Sequence, residues 1–165
     1  TRRDDPELCV HHVTGSRWRR DTSPTPSPSP GEGAGATPDP DGIMYRVIEY
    51  DDRMPLLYAA SDLMVTRAGA STIAELAATG TTAIIVPWPD AAEDHQTDNA
   101  RTLSDHGAAV LLDQRDLSVE RLGSEIDALR GAPDRLAAIA SAAHALGARH
   151  RSDTLIDLVL EVGGR

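Results

Sequence analysis

The stretch DLMVTRAGASTIAELAATGTTAIIVP, residues 62–87, carries the pattern that decides the fold. It begins with the compact apolar run 62–67 and ends with a second run, 82–87, both typical of strands buried on two faces of a parallel sheet. Between them, residues 72–79 have the apolar spacing of a helix, and Gly80 follows as the expected C-cap. The stretch therefore predicts a strand, a helix and a second strand, which together form a βαβ unit.

The same alternation of strands and helices continues on both sides of this stretch. Ser118 is the expected N-cap of one of these helices and Gly131 its end. We predict an α/β fold, a Rossmann-like parallel sheet with helices on both faces. The further strands are expected at 8–13, 43–50 and 108–112, and the further helices at 54–60, 96–107, 118–131, 133–147 and 152–162.

A polar stretch divides the chain near its N-terminus. Residues 21–42, DTSPTPSPSPGEGAGATPDPDG, repeat Pro, Ser and Gly and contain no large apolar side chain. That composition predicts a disordered or polyproline-like insertion. We therefore expect residues 1–20 to be the start of a truncated domain that contributes the first strand, and residues 43–165 to form the main domain.

Composition excludes several classes of function. The 165 residues carry a formal net charge of −10, whereas nucleic-acid binding requires a basic face, so no nucleic-acid partner is expected. Cys9 is the one cysteine, which rules out an internal disulfide and a cysteine-based metal site. No apolar run approaches the roughly 20 residues of a membrane-spanning helix.

The loop after the strand at 62–67 is the first candidate ligand site. Gly69 permits backbone conformations that other residues avoid, and small neighbours let a ligand approach the main chain. The N–H groups of the helix start, with the hydroxyls of Ser71 and Thr72, could bind a diphosphate, and Glu75 could accept hydrogen bonds from a vicinal diol. A capping box, with Thr72 as N-cap and Glu75 at N3, explains the same residues without a ligand. Arg67 could likewise pair with a nearby acid.

The loop after the strand at 82–87 is the second candidate, because ligands of open α/β sheets bind outside the carboxyl ends of the strands. Gln96 and Asn99 lie three residues apart, on one face of the next helix, where their amides could bind a sugar hydroxyl or a base edge. His95 could act as a base or a metal ligand, although a residue at a helix start is the commoner role for such a histidine. Asp94 or His95 could simply cap this helix.

Together the two loops resemble a known family. The pattern R-x-G-A-x-T-x-x-E at 67–75, the V-P strand exit at 86–87 and H-Q-x-x-N-A at 95–100 are similar to the C-terminal half of the MurG family. These are UDP-N-acetylglucosamine transferases of glycosyltransferase family 28. The resemblance runs from about residue 43 to the C-terminus and is densest at 62–112.

The resemblance implies a GT-B architecture, in which two Rossmann-like halves face a cleft and the C-terminal half holds the donor. Residues 43–165 would then be the domain that binds the nucleotide sugar. Glu75 would contact the ribose hydroxyls, Gln96 and His95 would reach the N-acetylglucosamine, and Asp51 would lie beside the uracil. The diphosphate and ribose would lie along Ala70, Ser71, Thr72, Ile73, Ala74 and Glu75.

The family transfers N-acetylglucosamine to lipid I, a lipid-linked muramyl-pentapeptide, and so forms lipid II in peptidoglycan synthesis. The reaction inverts the sugar and uses no metal or other cofactor, and its base comes from the N-terminal half. We therefore expect no catalytic residue in this chain, and a peripheral location at the cytoplasmic face of the cell membrane. The membrane and the acceptor would be contacted through the N-terminal half.

The chain departs from the family in one motif, because the Gly-Gly-Ser-x-Gly loop at the start of this half is absent. Two alternatives therefore stay open beside a donor-binding domain. One is the donor-binding subunit of a split transferase that works with a separate membrane-bound chain. The other is a nucleotide-sugar-binding module without catalytic activity.

Overall fold

The computed structural model describes residues 8–15, 44–89, 94–152 and 160–163. The chain divides into two compact units, Thr1–Met54 and Pro55–Arg165. The predicted insertion at 21–42 and most of the predicted last helix at 152–162 lie outside the described residues.

The described residues of the first unit form two parallel strands. Strand β1, Cys9–Val13, pairs with β2, Met44–Ile48, in a register that places Cys9 opposite Met44 and Val13 opposite Ile48. Parallel strands require a long crossover connection, and here the chain between them includes the Pro-rich stretch. Asp51 follows the carboxyl end of β2 in the sequence.

The second unit is built on a three-stranded parallel sheet of β3 Met64–Thr66, β4 Ala83–Ile85 and β5 Val110–Leu111, in that order. Strand β4 pairs with both neighbours: Met64 lies opposite Ala83, and Ile85 lies opposite Leu111. Helix α1, Met54–Ala60, begins at the boundary between the units. The other helices described in the second unit are α2 Ala70–Thr79, α3 His95–Ser104, α4 Val119–Arg130 and α5 Pro133–Leu146, with 3-10 helices at Gln114–Asp116 and Gly147–Arg151.

Both faces of the central strand are covered. Ile84 and Ile85 are both fully buried. Because successive strand residues point to opposite faces of a sheet, their burial means that both faces are covered. Ile84 belongs to a cluster with Leu129 of α4 and Ile139 of α5. The sheet is therefore a buried parallel sheet, as its continuous apolar strands predict.

The C-terminal end of α2 is bound by Arg151, the last residue of the 3-10 helix Gly147–Arg151. Gly80 ends α2 in the left-handed conformation, with φ at 72°, as predicted. The Arg151 guanidinium donates to the carbonyls of Ala77 and Ala78, at 3.2 and 3.0 Å, and also to the carbonyl of His144. A cation on the unpaired carbonyls of a helix end is stabilising, so Arg151 joins the ends of α2 and α5.

The predicted α/β class and the order of elements are confirmed, with shifts at element ends. Ser118 caps α4 by accepting from the Arg121 N–H at 3.1 Å, and Gly131 ends that helix. Helix α3 ends at Ser104, three residues before the expected Gly107, which adopts φ 67° after a turn. Helix α2 begins at Ala70, two residues earlier than predicted.

Candidate functional site

The N-terminus of α2 has no side-chain cap. Its N-cap is Gly69, and the first intrahelical bond runs from the Ile73 N–H to the Gly69 carbonyl at 3.0 Å. Thr72 is therefore the third helical residue and Glu75 the sixth, so the alternative of a capping box with Thr72 as N-cap is wrong. The N–H groups of the first turn point out of the helix, where no side-chain cap uses them.

Gly69 does not need the freedom of glycine for its backbone angles. Its φ of −62° and ψ of 144° are extended and open to any residue, so the expected special conformation is wrong. A Cβ at this position would meet one atom, the Thr72 Oγ1 at 3.6 Å. A Cβ would therefore fit here in ordinary van der Waals contact.

The residues of α2 that are predicted to contact the ligand differ in whether their side chains can reach it. Ser71 and Glu75 are exposed and Thr72 is half-buried, so their side chains can reach a ligand. Ile73 is only 8% exposed, so it could offer little beyond its main chain. Ala70 and Ala74 have no polar side-chain atoms.

Glu75 has one partner that the sequence did not indicate. Its Oε2 accepts a hydrogen bond from the Tyr58 hydroxyl of α1 at 2.7 Å. Burial, followed by the hydrogen bond and the negative charge of Glu75, raises the pKa of Tyr58 well above its usual value, although a hydrogen bond with Thr72 opposes this. The phenol is therefore protonated at neutral pH and acts as the donor.

Gln96 joins the two predicted ligand loops. Its Oε1 accepts from the Ala68 N–H at 3.2 Å and from the Trp88 N–H at 2.9 Å. Asn99, one turn later, donates from Nδ2 to the Ala68 carbonyl at 3.0 Å. The face of α3 that carries these amides therefore binds protein backbone. Only the Nε2 of Gln96 remains on that side chain to donate to a ligand.

Removing the acceptor at Gln96 is expected to destabilise the chain. In Gln96→Leu the Ala68 N–H loses its partner inside the protein, and a buried unpaired donor costs about 1–3 kcal/mol. Gln96→Glu is the matched control, because a carboxylate oxygen can accept both N–H groups. Urea unfolding measures both variants. Equal stability of Gln96→Leu and the unsubstituted chain would contradict the bridging role.

Arg67 braces the exits of all three strands in the sheet of the second unit. Its Nη1 donates to the carbonyls of Val86 and Pro87, at 3.1 and 3.3 Å, and to the Gln114 Oε1 at 2.5 Å. Its guanidinium carbon also lies 4.9 Å from the centre of the Trp88 ring, a cation–π distance. Arg67 thus binds carbonyls and an amide in place of the acidic partner that we considered. Gln114 carried no signal in the sequence.

His95 is the first residue of α3 and is exposed, and the N-cap is Asp94 with φ at 56°. Asp94 accepts at Oδ1 from the Thr97 hydroxyl at 2.6 Å, and no side chain caps the helix through hydrogen bonds to its backbone. Among the residues that the structure describes, no three His, Cys, Asp or Glu side chains are grouped as a metal ion would require.

A cleft of about 420 Å³ opens beside these loops at the carboxyl ends of β4 and β5. It presents both charges and apolar surface. Its walls come from the exit of β4, from α3 and from the segment after β5: Pro87, Pro89, Asp94, Thr97, Arg101, Leu111, Asp113, Gln114 and Arg115.

Asp51 lies in the first unit and its carboxylate is engaged there. The side chain is 4% exposed, accepts from the Arg53 N–H at 2.8 Å and lies 3.4 Å from the His11 Nε2. The hydrogen bond from the Arg53 backbone, with the charges of Arg53 and His11, lowers the pKa of Asp51 despite its burial. Any contact of this residue with a base would therefore be made by its backbone.

Within the described ranges, none of the helices has the length and apolar character that crossing a bilayer demands.

Comparison with known proteins agrees with this arrangement. Residues 2–156 match the family model of the glycosyltransferase family 28 C-terminal domain. The chain is also 35% identical to the crystal structure of Acinetobacter baumannii MurG, with a TM-score of 0.58, over 62% of this chain and 30% of that one.

Curated relatives bear the name UDP-N-acetylglucosamine–N-acetylmuramyl-(pentapeptide) pyrophosphoryl-undecaprenol N-acetylglucosamine transferase. The protein from Anaeromyxobacter sp. (strain K) is 44% identical over 70% of this chain. The protein from Bradyrhizobium sp. (strain BTAi1 / ATCC BAA-1182) is 46% identical over 67% of it. The chain spans 30% of the length of each of these two relatives. The chain therefore belongs to glycosyltransferase family 28, whose C-terminal domain it contains.

Proposed function

We propose that this chain is the donor-binding domain of a UDP-N-acetylglucosamine-dependent inverting glycosyltransferase. The reaction is transfer of N-acetylglucosamine to lipid I, which gives lipid II in peptidoglycan synthesis. The proposal rests on the names of the relatives and on one observation, the α2 N-terminus that no side chain caps. Because the acceptor is lipid-linked, the proposal implies a peripheral position at the cytoplasmic membrane face.

The start of α2 is suited to a diphosphate. The N–H groups of its first turn are not used by a side-chain cap, and a helix N-terminus attracts negative charge through its dipole. Ser71 adds an exposed hydroxyl. Glu75 lies one turn beyond Thr72, so a nucleotide whose phosphates lie at the helix start could place its ribose diol against this carboxylate.

Gln96 is suited to the sugar. Both of its bonds to backbone N–H groups use Oε1, which leaves an amide that can only donate. Hydroxyl oxygens and the carbonyl of an N-acetyl group accept such a hydrogen bond. His95 precedes it in the chain and is exposed, so it could contact the same sugar.

In the proposed reaction the acceptor hydroxyl oxygen bonds to the anomeric carbon of the donor, and the bond from that carbon to the diphosphate breaks. The hydroxyl proton passes to a general base. The family resemblance implies a base in the N-terminal half, which this chain does not span. UDP leaves with added negative charge on its terminal phosphate. The N–H groups at the start of α2 would stabilise that charge as it develops.

Titration calorimetry of the 165-residue chain tests the proposal. We expect heats of binding with UDP and UDP-N-acetylglucosamine at concentrations up to about 1 mM, equivalent to roughly −4 kcal/mol or better. ADP is the control, because it has the same diphosphate and ribose with a different base. No heat with either uridine nucleotide, or equal heats with ADP, would count against a UDP-sugar site.

A further inference from the structure

The Tyr58 hydroxyl binds Glu75, the residue proposed to contact the ribose. Tyr58 is 4% exposed, whereas Glu75 is exposed. A buried hydroxyl thus holds one oxygen of a carboxylate that otherwise faces solvent, at 2.7 Å. The two residues are 17 positions apart and lie on different helices, so this contact exists only in the folded chain.

Tyr58 is itself held firmly in place. Its backbone carbonyl, in the last turn of α1, accepts from the Thr81 hydroxyl at 3.0 Å, and that hydroxyl lies 2.7 Å from the Thr79 hydroxyl. The ring is buried and the backbone is tied to the segment between α2 and β4. A donor fixed in this way can fix the orientation of the group that it binds.

We propose that Tyr58 is a positioning residue for nucleotide binding, because its hydroxyl holds the Oε2 of Glu75 and thereby turns Oε1 toward a vicinal diol. This inference rests on the proposed function, since it assigns Glu75 to the ribose. A free glutamate on a helix surface samples several rotamers, and ordering it costs conformational entropy when ligand binds. With Tyr58 in place, much of that ordering is complete before the nucleotide arrives.

The bond from Tyr58 leaves the Glu75 carboxylate enough acceptor positions to bind both hydroxyls of a diol. A carboxylate accepts about four hydrogen bonds through two oxygens, and Tyr58 uses one of these positions. The Tyr58 hydroxyl donates to Oε2 in this bond, so Oε1 keeps its full capacity to accept from the ribose hydroxyls.

Tyr58→Phe tests the inference because it removes only the hydroxyl. We expect UDP binding to weaken about three- to tenfold, the range for losing a hydrogen bond of ordinary net strength. Binding of 2′,3′-dideoxyuridine diphosphate, which has no diol, is expected to stay unchanged. Tyr45→Phe is the matched control, since it removes a hydroxyl that contacts His12 in the first unit. Calorimetry gives both affinities for each variant.

A double-mutant cycle with Glu75→Ala, which leaves no acceptor for the Tyr58 hydroxyl, separates positioning from a purely structural contact. The loss caused by Tyr58→Phe is expected to disappear when Glu75 is already Ala. A purely structural role would lower the unfolding temperature and leave the ratio of UDP to dideoxy affinity unchanged, which would overturn the inference. Thr81→Val, which loosens Tyr58 without removing its hydroxyl, is expected to shift that ratio in the same direction, and an unchanged ratio would count against positioning.

The two proposals fail in different ways. If UDP binds and Glu75→Ala weakens it while Tyr58→Phe does not, the inference is wrong and the donor site stands. If the unsubstituted chain binds no UDP, the donor site is wrong and the inference falls with it.

Discussion

Glu75→Ala is expected to weaken UDP binding by about 1.5–3 kcal/mol, or roughly tenfold to 150-fold, because hydrogen bonds to a charged group contribute in this range. The proposed site gives Glu75 both hydroxyls of the ribose, so the whole contribution of the diol is lost at once. The effect should be confined to ligands that carry the diol. Calorimetry with UDP and with its 2′,3′-dideoxy analogue measures the difference.

The control for charge is Glu125→Ala in α4. Glu125 pairs with Arg121 at 2.7 Å on the same helix, so this variant removes a carboxylate from outside the proposed site. It should leave UDP affinity unchanged. If Glu75→Ala lowers the unfolding temperature by releasing Tyr58 yet binds UDP like the unsubstituted chain, Glu75 is a structural residue and has no ribose role.

Gly147→Ala is expected to destabilise the chain strongly. A Cβ at Gly147 would overlap the carbonyl oxygen and carbon of Ala77, so the backbone of α2 itself would have to move. Overpacking of this kind costs typically 1–3 kcal/mol, and here the obstacle is main chain that cannot change rotamer, so about 3 kcal/mol is expected. That corresponds to a fall of roughly 6–12 °C in the unfolding midpoint.

Gly123→Ala is the matched control for Gly147→Ala. Gly123 lies within α4, and a Cβ there would meet no atom within 4 Å. Alanine at an open helical position is expected to stabilise by about 0.5–1 kcal/mol. Differential scanning calorimetry compares the two variants. An unfolding midpoint for Gly147→Ala within a degree or so of the unsubstituted chain would show that α2 and the 3-10 helix at 147–151 are not in close backbone contact.

The sequence predicted the fold well where the signal was local. The apolar runs around β3 and β4, and Gly80 between them, predicted the central βαβ unit with its helix end. The predicted start of α2 at residue 72 was wrong. T-I-A-E has the form of a capping box, and that pattern alone cannot show that Gly69 takes the N-cap position. Whether a helix begins two residues earlier depends on how the loop after β3 is held, which the local pattern does not contain.

The sequence identified several residues of the candidate site, but it predicted only part of what each of them does. Gln96 was identified as a ligand contact, yet its Oε1 joins Ala68 and Trp88, partners that lie 28 and 8 residues away. Gln114 and Tyr58 carried no signal because each acts through a partner distant in the sequence, Arg67 and Glu75. Such long-range hydrogen bonds leave no periodicity or motif, so the supports of the site could be seen only in the folded structure.

The open start of α2 is proposed to bind the diphosphate of UDP. Two-dimensional ¹H–¹⁵N NMR of the chain during a UDP titration tests it most directly, because each backbone N–H reports on its own environment. We expect the amides of Ala70, Ser71 and Thr72 to show the largest shifts, as they gain a charged hydrogen-bond acceptor. If these three amides do not move while those lining the neighbouring cleft do, the diphosphate binds elsewhere and the account of this helix start is wrong.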